Sequence, residues 1–421
     1  MDKFVIQGGN RLCGKVKISG AKNGSLALMP ATILAQGTYN LFNTPNLKDV
    51  RTMSHLMTSL GIICELNDNT LFIDSRSINS FEAPYQHVKN MRASFYVLGP
   101  LLSRYGEARV SLPGGCAWGP RPVDLHIKGM EKLGAEISLE KGYVVAKAKG
   151  GNLKGAKINL EISSVGATGN ILMAATLAKG TTLISNAATE PEITALAKML
   201  VKMGAKIDGI GTSILEIEGV SELHPTDETN IPDRIEAATF LIAAAITGGN
   251  IVINNCNPHH LTSILGLLED AECKIDANSD SISLESNDIK SVDTTTAIYP
   301  GVPTDIQPQW VSLMLIAKGD SKISDPIYKD RFKHIPEMIR LGANIELIEH
   351  TAYVKGGHKL TGASVMASDL RAGAALVIAG LVAEGTTEVL RIYHIDRGYE
   401  AFETKLTNLG ANIQRIKTDL V

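Results

Sequence analysis

The strongest constraint on the fold is an internal repeat. A small apolar helix tail, a glycine, a polar residue or threonine and a short β-run recur six times. The copies read LAQGTYNLFN, LSRYGEARVSL, LAKGTTLISN, ITGGNIVINN, IAKGDSKISD and VAEGTTEVLR. Their marker glycines are Gly37, Gly106, Gly180, Gly249, Gly319 and Gly385. A second marker follows each by about 25 residues, as SLGIIC, KLGAEI, KMGAKI, EDAECKI, RLGANI and NLGANI. The fourth copy departs from the rest, with Glu272 and Cys273 in place of Gly-Ala. Two unrelated markers with one period of about 70 residues make the chain a tandem of six units.

Each unit reads as helix, strand, helix, strand, strand. The first helix is apolar nearly all round, as in SLALMPATILA and EAATFLIAAAI, and is expected to be buried on every side. The marker glycine is expected to cap its C-terminus. The second helix is amphipathic (PVDLHIKGMEKLG, EITALAKMLVKMG) and the two closing strands alternate. At 421 residues the chain exceeds one core, so the units divide three and three. The expected fold class is α/β, with two similar domains. Residues 22–229 carry repeats one to three; residues 1–21 with 230–421 carry repeats four to six. The N-terminal strands then complete the second domain.

Composition excludes several functions. A net charge of −3 argues against general nucleic-acid binding, and no apolar run has the length of a membrane span. Five scattered cysteines without CxxC spacing point to reduced thiols in a cytoplasm. No metal-ligand spacing, dinucleotide fingerprint or Walker loop is present, so neither metal nor cofactor is expected, and no obligate protein partner is evident.

The unusual residues stand where the buried helices begin. These are Lys22 and Asn23; Arg92; Ser163, Ser164, Val165 and Gly166; Asp233 and Arg234; Asp305; and Asp369 and Arg371, all about 15 residues ahead of the marker glycines. Helix N-termini attract anions, and the basic side chains among these add charge. Asp233 and Ser163 read equally well as plain N-caps. Lys22 and Arg92 oppose the helix dipole and are better explained by a ligand. Loops after the marker strands form a second set: Lys48 and Asp49; Cys116 and Arg121 in SLPGGCAWGPRP; Lys329, Asp330 and Arg331; and Asp396 and Arg397.

Taken in order, SGAKN, MRAS, LPGGC, RPVDLHI, SVGAT, PDRIE, PTD, MASDLRA and RIYHIDRGYE resemble the enolpyruvyl transferases over the whole chain. The resemblance implies two inside-out α/β barrels of three repeats each, closing over a cleft. It also implies transfer of the enolpyruvyl group of phosphoenolpyruvate to the 3′-hydroxyl of UDP-N-acetylglucosamine, releasing phosphate. Cys116 matches a proton donor on a glycine-rich lid, a thiol open to alkylation by the epoxide fosfomycin. Asp305 matches the acceptor of the hydroxyl proton, Lys22, Arg121 and Arg397 match groups engaging phosphoenolpyruvate, and Asn23, in the same motif as Lys22, is placed to reach the sugar. Arg92, Arg121, Pro122, Val123, Asp124, Leu125, Ser163, Ser164, Val165, Gly166 and Ile327 match nucleotide-sugar contacts. Asp369, Arg371 and Lys405 match supporting positions. His126 either donates near the base or belongs to the core. Trp118 and Pro120 in the Cys116 loop, Thr189, and the lack of a basic residue before Ser163 depart from the pattern. Two alternatives stay open: a sister transferase acting on shikimate 3-phosphate, and a non-catalytic nucleotide-sugar-binding paralogue.

Overall fold

The computed structural model describes residues 2–89, 91–113 and 123–417. The described strands form six four-stranded sheets of one plan. The strand after the marker glycine, for example Glu107–Ser111, has a parallel neighbour on one side and the antiparallel hairpin of its own unit on the other. The parallel neighbour comes from the segment before the buried helix, so strand, helix and strand form a crossover.

The chain divides into two compact units, residues 20–231 and residues 1–19 with 232–421. Each holds three sheets and three buried helices. In the first unit the helices are Lys22–Ala31, Leu98–Tyr105 and Val165–Ala175; in the second, Arg234–Ile246, Gln307–Met314 and Leu370–Gly380. Every residue from Ile235 to Ile246 is buried, as the unbroken apolar sequence requires. The outer helices bury one stripe only. In Lys48–Ser59 it is Asp49, Val50, Met53, Leu56 and Met57, a helical spacing. No helix among the described residues is long and apolar enough to cross a membrane.

Two of the sheets exchange their parallel strand. Strand β2 (Cys13–Lys17) precedes the first buried helix, yet pairs with Asn250–Asn254, with Cys13 opposite Asn250. Glu228–Thr229 precedes the fourth buried helix and pairs with the strand Thr38–Phe42 of the first repeat. Strand β1 (Asp2–Gln7) lies between Thr386–Leu390 and Asn412–Lys417, antiparallel to both. It takes the place that the second strand of the hairpin holds in the other five sheets.

The glycine markers serve differently than expected. Only Gly106 directly caps its buried helix, in the left-handed region at φ 76°. Elsewhere the helix ends earlier, and a turn leads to the glycine at the strand's start, as where Ala175 ends a helix well before Gly180. The second marker is the true helix stop. Gly61, Gly134, Gly204, Gly342 and Gly410 have φ of 94°, 90°, 107°, 88° and 101°, and each N–H bonds to the carbonyl three residues back. Glu272 keeps that geometry at φ 71° without being glycine. A side chain there is strained.

Candidate active site

In the unit of residues 20–231, Lys22 opens its helix behind Ala21, which has no capping side chain. Its Nζ lies 3.2 Å from Asp49 Oδ2, both side chains nearly buried. The carboxylate offsets what a cation costs at a helix start. Asn23 follows, half-buried. Arg92 begins the 3-10 turn Arg92–Val97 and is exposed.

The start of Val165–Ala175 is the most organised place in this unit. Ser164, rather than Ser163, is its N-cap: Ser164 Oγ accepts from the Ala167 N–H at 3.3 Å. Ser163 stands one residue too early to reach that donor. Ser163, Ser164, Val165 and Gly166 are all partly accessible. His126 packs against them with 6 % of its surface exposed. Asn170 orients it. The amide oxygen of Asn170 accepts from Gly99 N–H at 2.7 Å, so its NH2 faces Phe95 O and the ring. His126 Nδ1, 3.0 Å away, therefore accepts, and the neutral ring carries its proton on Nε2. Burial, with Arg92 adding, pushes the His126 pKa down to about 3. A Cβ on Gly166 would meet Nε2 at 3.0 Å, so glycine lets the ring approach the helix. Of the two readings of His126, the structure supports the core one. Val123 is buried, Asp124 opens the neighbouring helix Asp124–Lys132 and is exposed, and Leu125 is partly buried. Cys116, Arg121 and Pro122, with Trp118 and Pro120, lie outside the described residues.

In the other unit, Asp305 sits in the 3-10 turn Thr304–Ile306 between two guanidinium groups. Arg371 Nε and Nη2 reach Oδ2 at 3.1 and 2.9 Å, and Arg331 Nη1 reaches Oδ1 at 2.8 Å. The Arg371 side chain is 2 % exposed while Asp305 keeps 25 %, so the carboxylate stays accessible. Arg371 stacks on Tyr399, with Cζ 5.4 Å from the ring centroid. Tyr399 Oη is held by Gln309 Nε2 at 3.1 Å and Thr239 Oγ1 at 3.0 Å. Because Thr239 donates to Ile235 O, the tyrosine donates to Thr239. Asp369 caps Leu370–Gly380, accepting from the N–H groups of Arg371 and Ala372; Asp233 caps Arg234–Ile246 in the same way. Both are caps, and Asp369 in capping also fixes the backbone of Arg371.

Ile327 is exposed on the loop after Ser321–Ser324, its N–H donating to Asp325. Arg397 ends the 3-10 turn Ile392–Arg397 and is partly exposed, while Asp396 beside it pairs with Arg415 at 2.6 Å. Lys405 donates to Glu236 Oε1 at 2.6 Å and to Ser19 Oγ at 2.7 Å. Burial pushes Glu236 up to about 6, against the pull of Lys405.

Sequence reasoning passed over Asn170, Tyr399 and Asp325. Asn170 was visible as an amide inside the apolar run VGATGNILMAA, and Asp325 as an aspartate before a proline just past a strand. Chemically, the first unit offers a cation at a helix start and a capped helix N-terminus. The second offers an accessible carboxylate braced by two arginines. That set suits anionic substrates and one proton acceptor.

The chain is similar to known proteins over nearly its whole length. The profile of EPSP synthase (3-phosphoshikimate 1-carboxyvinyltransferase) matches residues 6–406. The UDP-N-acetylglucosamine 1-carboxyvinyltransferase of Chlorobium chlorochromatii is 56 % identical over 419 residues, covering 99 % of each chain. That of Chloroherpeton thalassium is 55 % identical over 417 residues, covering 99 % of this chain and 97 % of its own. The enolpyruvyl transferase NikO from Streptomyces tendae superposes with a TM-score of 0.89 at 26 % identity over 98 % of both chains. An EPSP synthase from Acinetobacter baumannii shares the fold, with a TM-score of 0.79 at 20 % identity over 99 % of this chain and 100 % of its own. Repeat, sheet plan and full-length similarity converge: the chain belongs to the enolpyruvyl transferase family.

Proposed function

We propose that this protein transfers the enolpyruvyl group of phosphoenolpyruvate to the 3′-hydroxyl of UDP-N-acetylglucosamine, releasing phosphate. This would be the first committed step of peptidoglycan synthesis, carried out in the cytoplasm. The observation that carries the choice of acceptor is full-length identity above half with transferases named for that nucleotide sugar.

The reaction needs a proton acceptor at the hydroxyl, a proton donor at the methylene carbon C3, and cations for a phosphate and a carboxylate. In the proposed assignment Asp305 takes the hydroxyl proton as the sugar oxygen bonds to C2, and Cys116 delivers a proton to C3. The C2–O bond to phosphate then breaks, C3 gives up a proton, and the double bond re-forms. Lys22, Arg121 and Arg397 hold phosphoenolpyruvate, and Asn23 reaches the sugar. Arg92, the stretch 121–125, Ser163–Gly166 and Ile327 receive the nucleotide sugar, and the helix N-terminus behind Ser164 suits its diphosphate. Arg371, positioned by Asp369, keeps the Asp305 carboxylate in one orientation.

The test is phosphate release from phosphoenolpyruvate with UDP-N-acetylglucosamine, with shikimate 3-phosphate, or with no acceptor. Release with the nucleotide sugar alone is expected. Release with shikimate 3-phosphate alone would reassign the acceptor, and silence with both from folded protein would favour the non-catalytic alternative.

A further inference from the structure

The proposal concerns Asp325 and rests on the assignment of Asp305 to the transfer reaction. Asp325 is fully buried, yet no arginine or lysine pairs with it among the described residues. Four neutral donors satisfy it, and its two oxygens divide them. Oδ1 accepts from the N–H groups of Ile327 at 3.1 Å and Tyr328 at 2.8 Å, and from Thr296 Oγ1 at 2.6 Å. Oδ2 accepts from Thr304 Oγ1 at 2.5 Å. Thr304 is the residue before Asp305 in the same 3-10 turn. The loop held by Oδ1 leads directly into the 3-10 turn Lys329–His334, which carries Arg331.

One carboxylate therefore joins three pieces of chain: the strand end at Thr296, the turn bearing Asp305, and the loop bearing Ile327 and Arg331. Asp305 and Arg331 lie 2.8 Å apart across that joint. The two short 3-10 turns have no hydrogen-bond ladder between them to fix their separation. The buried acceptor does it, because moving the Thr304 turn away leaves Oδ2 unpaired in a site without water access, and moving the loop strips two of the three donors from Oδ1. We propose that Asp325 is a positioning residue for the transfer reaction. It sets the placement of the Asp305 carboxylate against Arg331 without itself touching substrate.

The division between the oxygens makes the idea separable from fold stability. Thr304→Val keeps shape and cuts only the Oδ2 link. Asp325→Ala cuts all four. Asp325→Asn keeps the Oδ1 contacts and turns an amide N–H2 toward the Thr304 hydroxyl, which can accept, so the joint survives. Each variant is assayed for phosphate release with UDP-N-acetylglucosamine, and its folded fraction is measured by thermal melting. Asp325→Ala is expected to lose kcat per folded molecule on the order of 10²-fold, as misplacement by about 1 Å does elsewhere. Thr304→Val is expected to lose roughly tenfold with the KM for phosphoenolpyruvate within about twofold, and Asp325→Asn to stay within about threefold of the parent.

Normal kcat per folded molecule in Thr304→Val and Asp325→Ala, even with lowered melting temperatures, would overturn the proposal and leave Asp325 a stability residue. A loss in Asp325→Asn as deep as in Asp325→Ala would overturn it too, since the joint would then not be what matters. A parent protein that releases no phosphate would instead refute the functional reading on which the proposal rests.

Discussion

Lowering the pH tests the buried histidine at the helix start. His126 is held neutral by burial, reinforced by Arg92, with its pKa pushed from 6.5 down to about 3. In the unfolded chain it titrates near 6.5, so between pH 6.5 and 3 the unfolded state binds the extra proton. Stability is therefore full above pH 6.5 and falls as the pH drops through that window. At pH 5 an unperturbed imidazole is roughly 97 % protonated, whereas His126 would be about 1 % protonated. At about 1.4 kcal/mol per unit of separation, folding is weaker at pH 5 than at pH 8 by about 2 kcal/mol from this group alone. Histidine labelled with 13C at Cε1, followed by NMR from pH 8 to 5, reads the group directly. The His126 resonance should stay at its neutral position, with chemical shifts of the Nε2–H tautomer. A midpoint between pH 5.5 and 7 would refute the reasoning, because a ring that charges in place cannot be accepting from Asn170 through Nδ1.

Glu272→Gly should raise the stability of its unit by about 0.5–1 kcal/mol. Relief of the left-handed conformation exceeds the added freedom of the unfolded chain, and Glu272→Ala is the control that should gain nothing in a denaturant melt. Arg371→Leu should cost about 3 kcal/mol in a urea titration, the low end for breaking a buried pair because Arg331 still neutralises Asp305; phosphate release should fall with it. Burial pushes the thiols of Cys64 and Cys256 up to about 12 and about 11 and raises Cys273 as well. In timed alkylation at pH 7.5, the exposed Cys13 should be modified before any of those three; a faster Cys64 would contradict its raised thiol pKa.

Much of the architecture was legible because each repeat announces itself twice. The second glycine is demanded by a backbone conformation that other residues resist, and the apolar helices have no face fit for water. The strand exchange was less legible, because Glu228–Thr229 is two residues long and its pairing depends on a partner almost two hundred residues earlier. At the site, Lys22, Ser164, Asp369 and Arg371 do stand at or beside helix starts, where the repeat alignment located them. What the alignment could not resolve was partnership. The choice of Ser164 over Ser163 as cap depends on one residue of offset, and the embrace of Asp305 by Arg371 and Arg331 depends on rotamers across separate segments. Asp325 escaped notice because its importance lies in what it joins, which no local pattern records.

The placement of β1 has a consequence for biosynthesis. Strand β1 is synthesised long before either strand it lies between, with Asp2 opposite Lys417. At about 5–20 residues per second, β1 waits on the order of 20–80 s for its neighbours. The segment 20–231, by contrast, is whole before residues 232–421 of the other unit are made. Strand β1 is thus kept unpaired in store while an entire body folds after it. Deleting it would remove an inner strand rather than trim an edge. Because its mate Asn412–Lys417 ends beside its own beginning, a circular permutant opened between Ser19 and Gly20 would place β1 directly after that mate and give the sixth repeat the chain order of the other five.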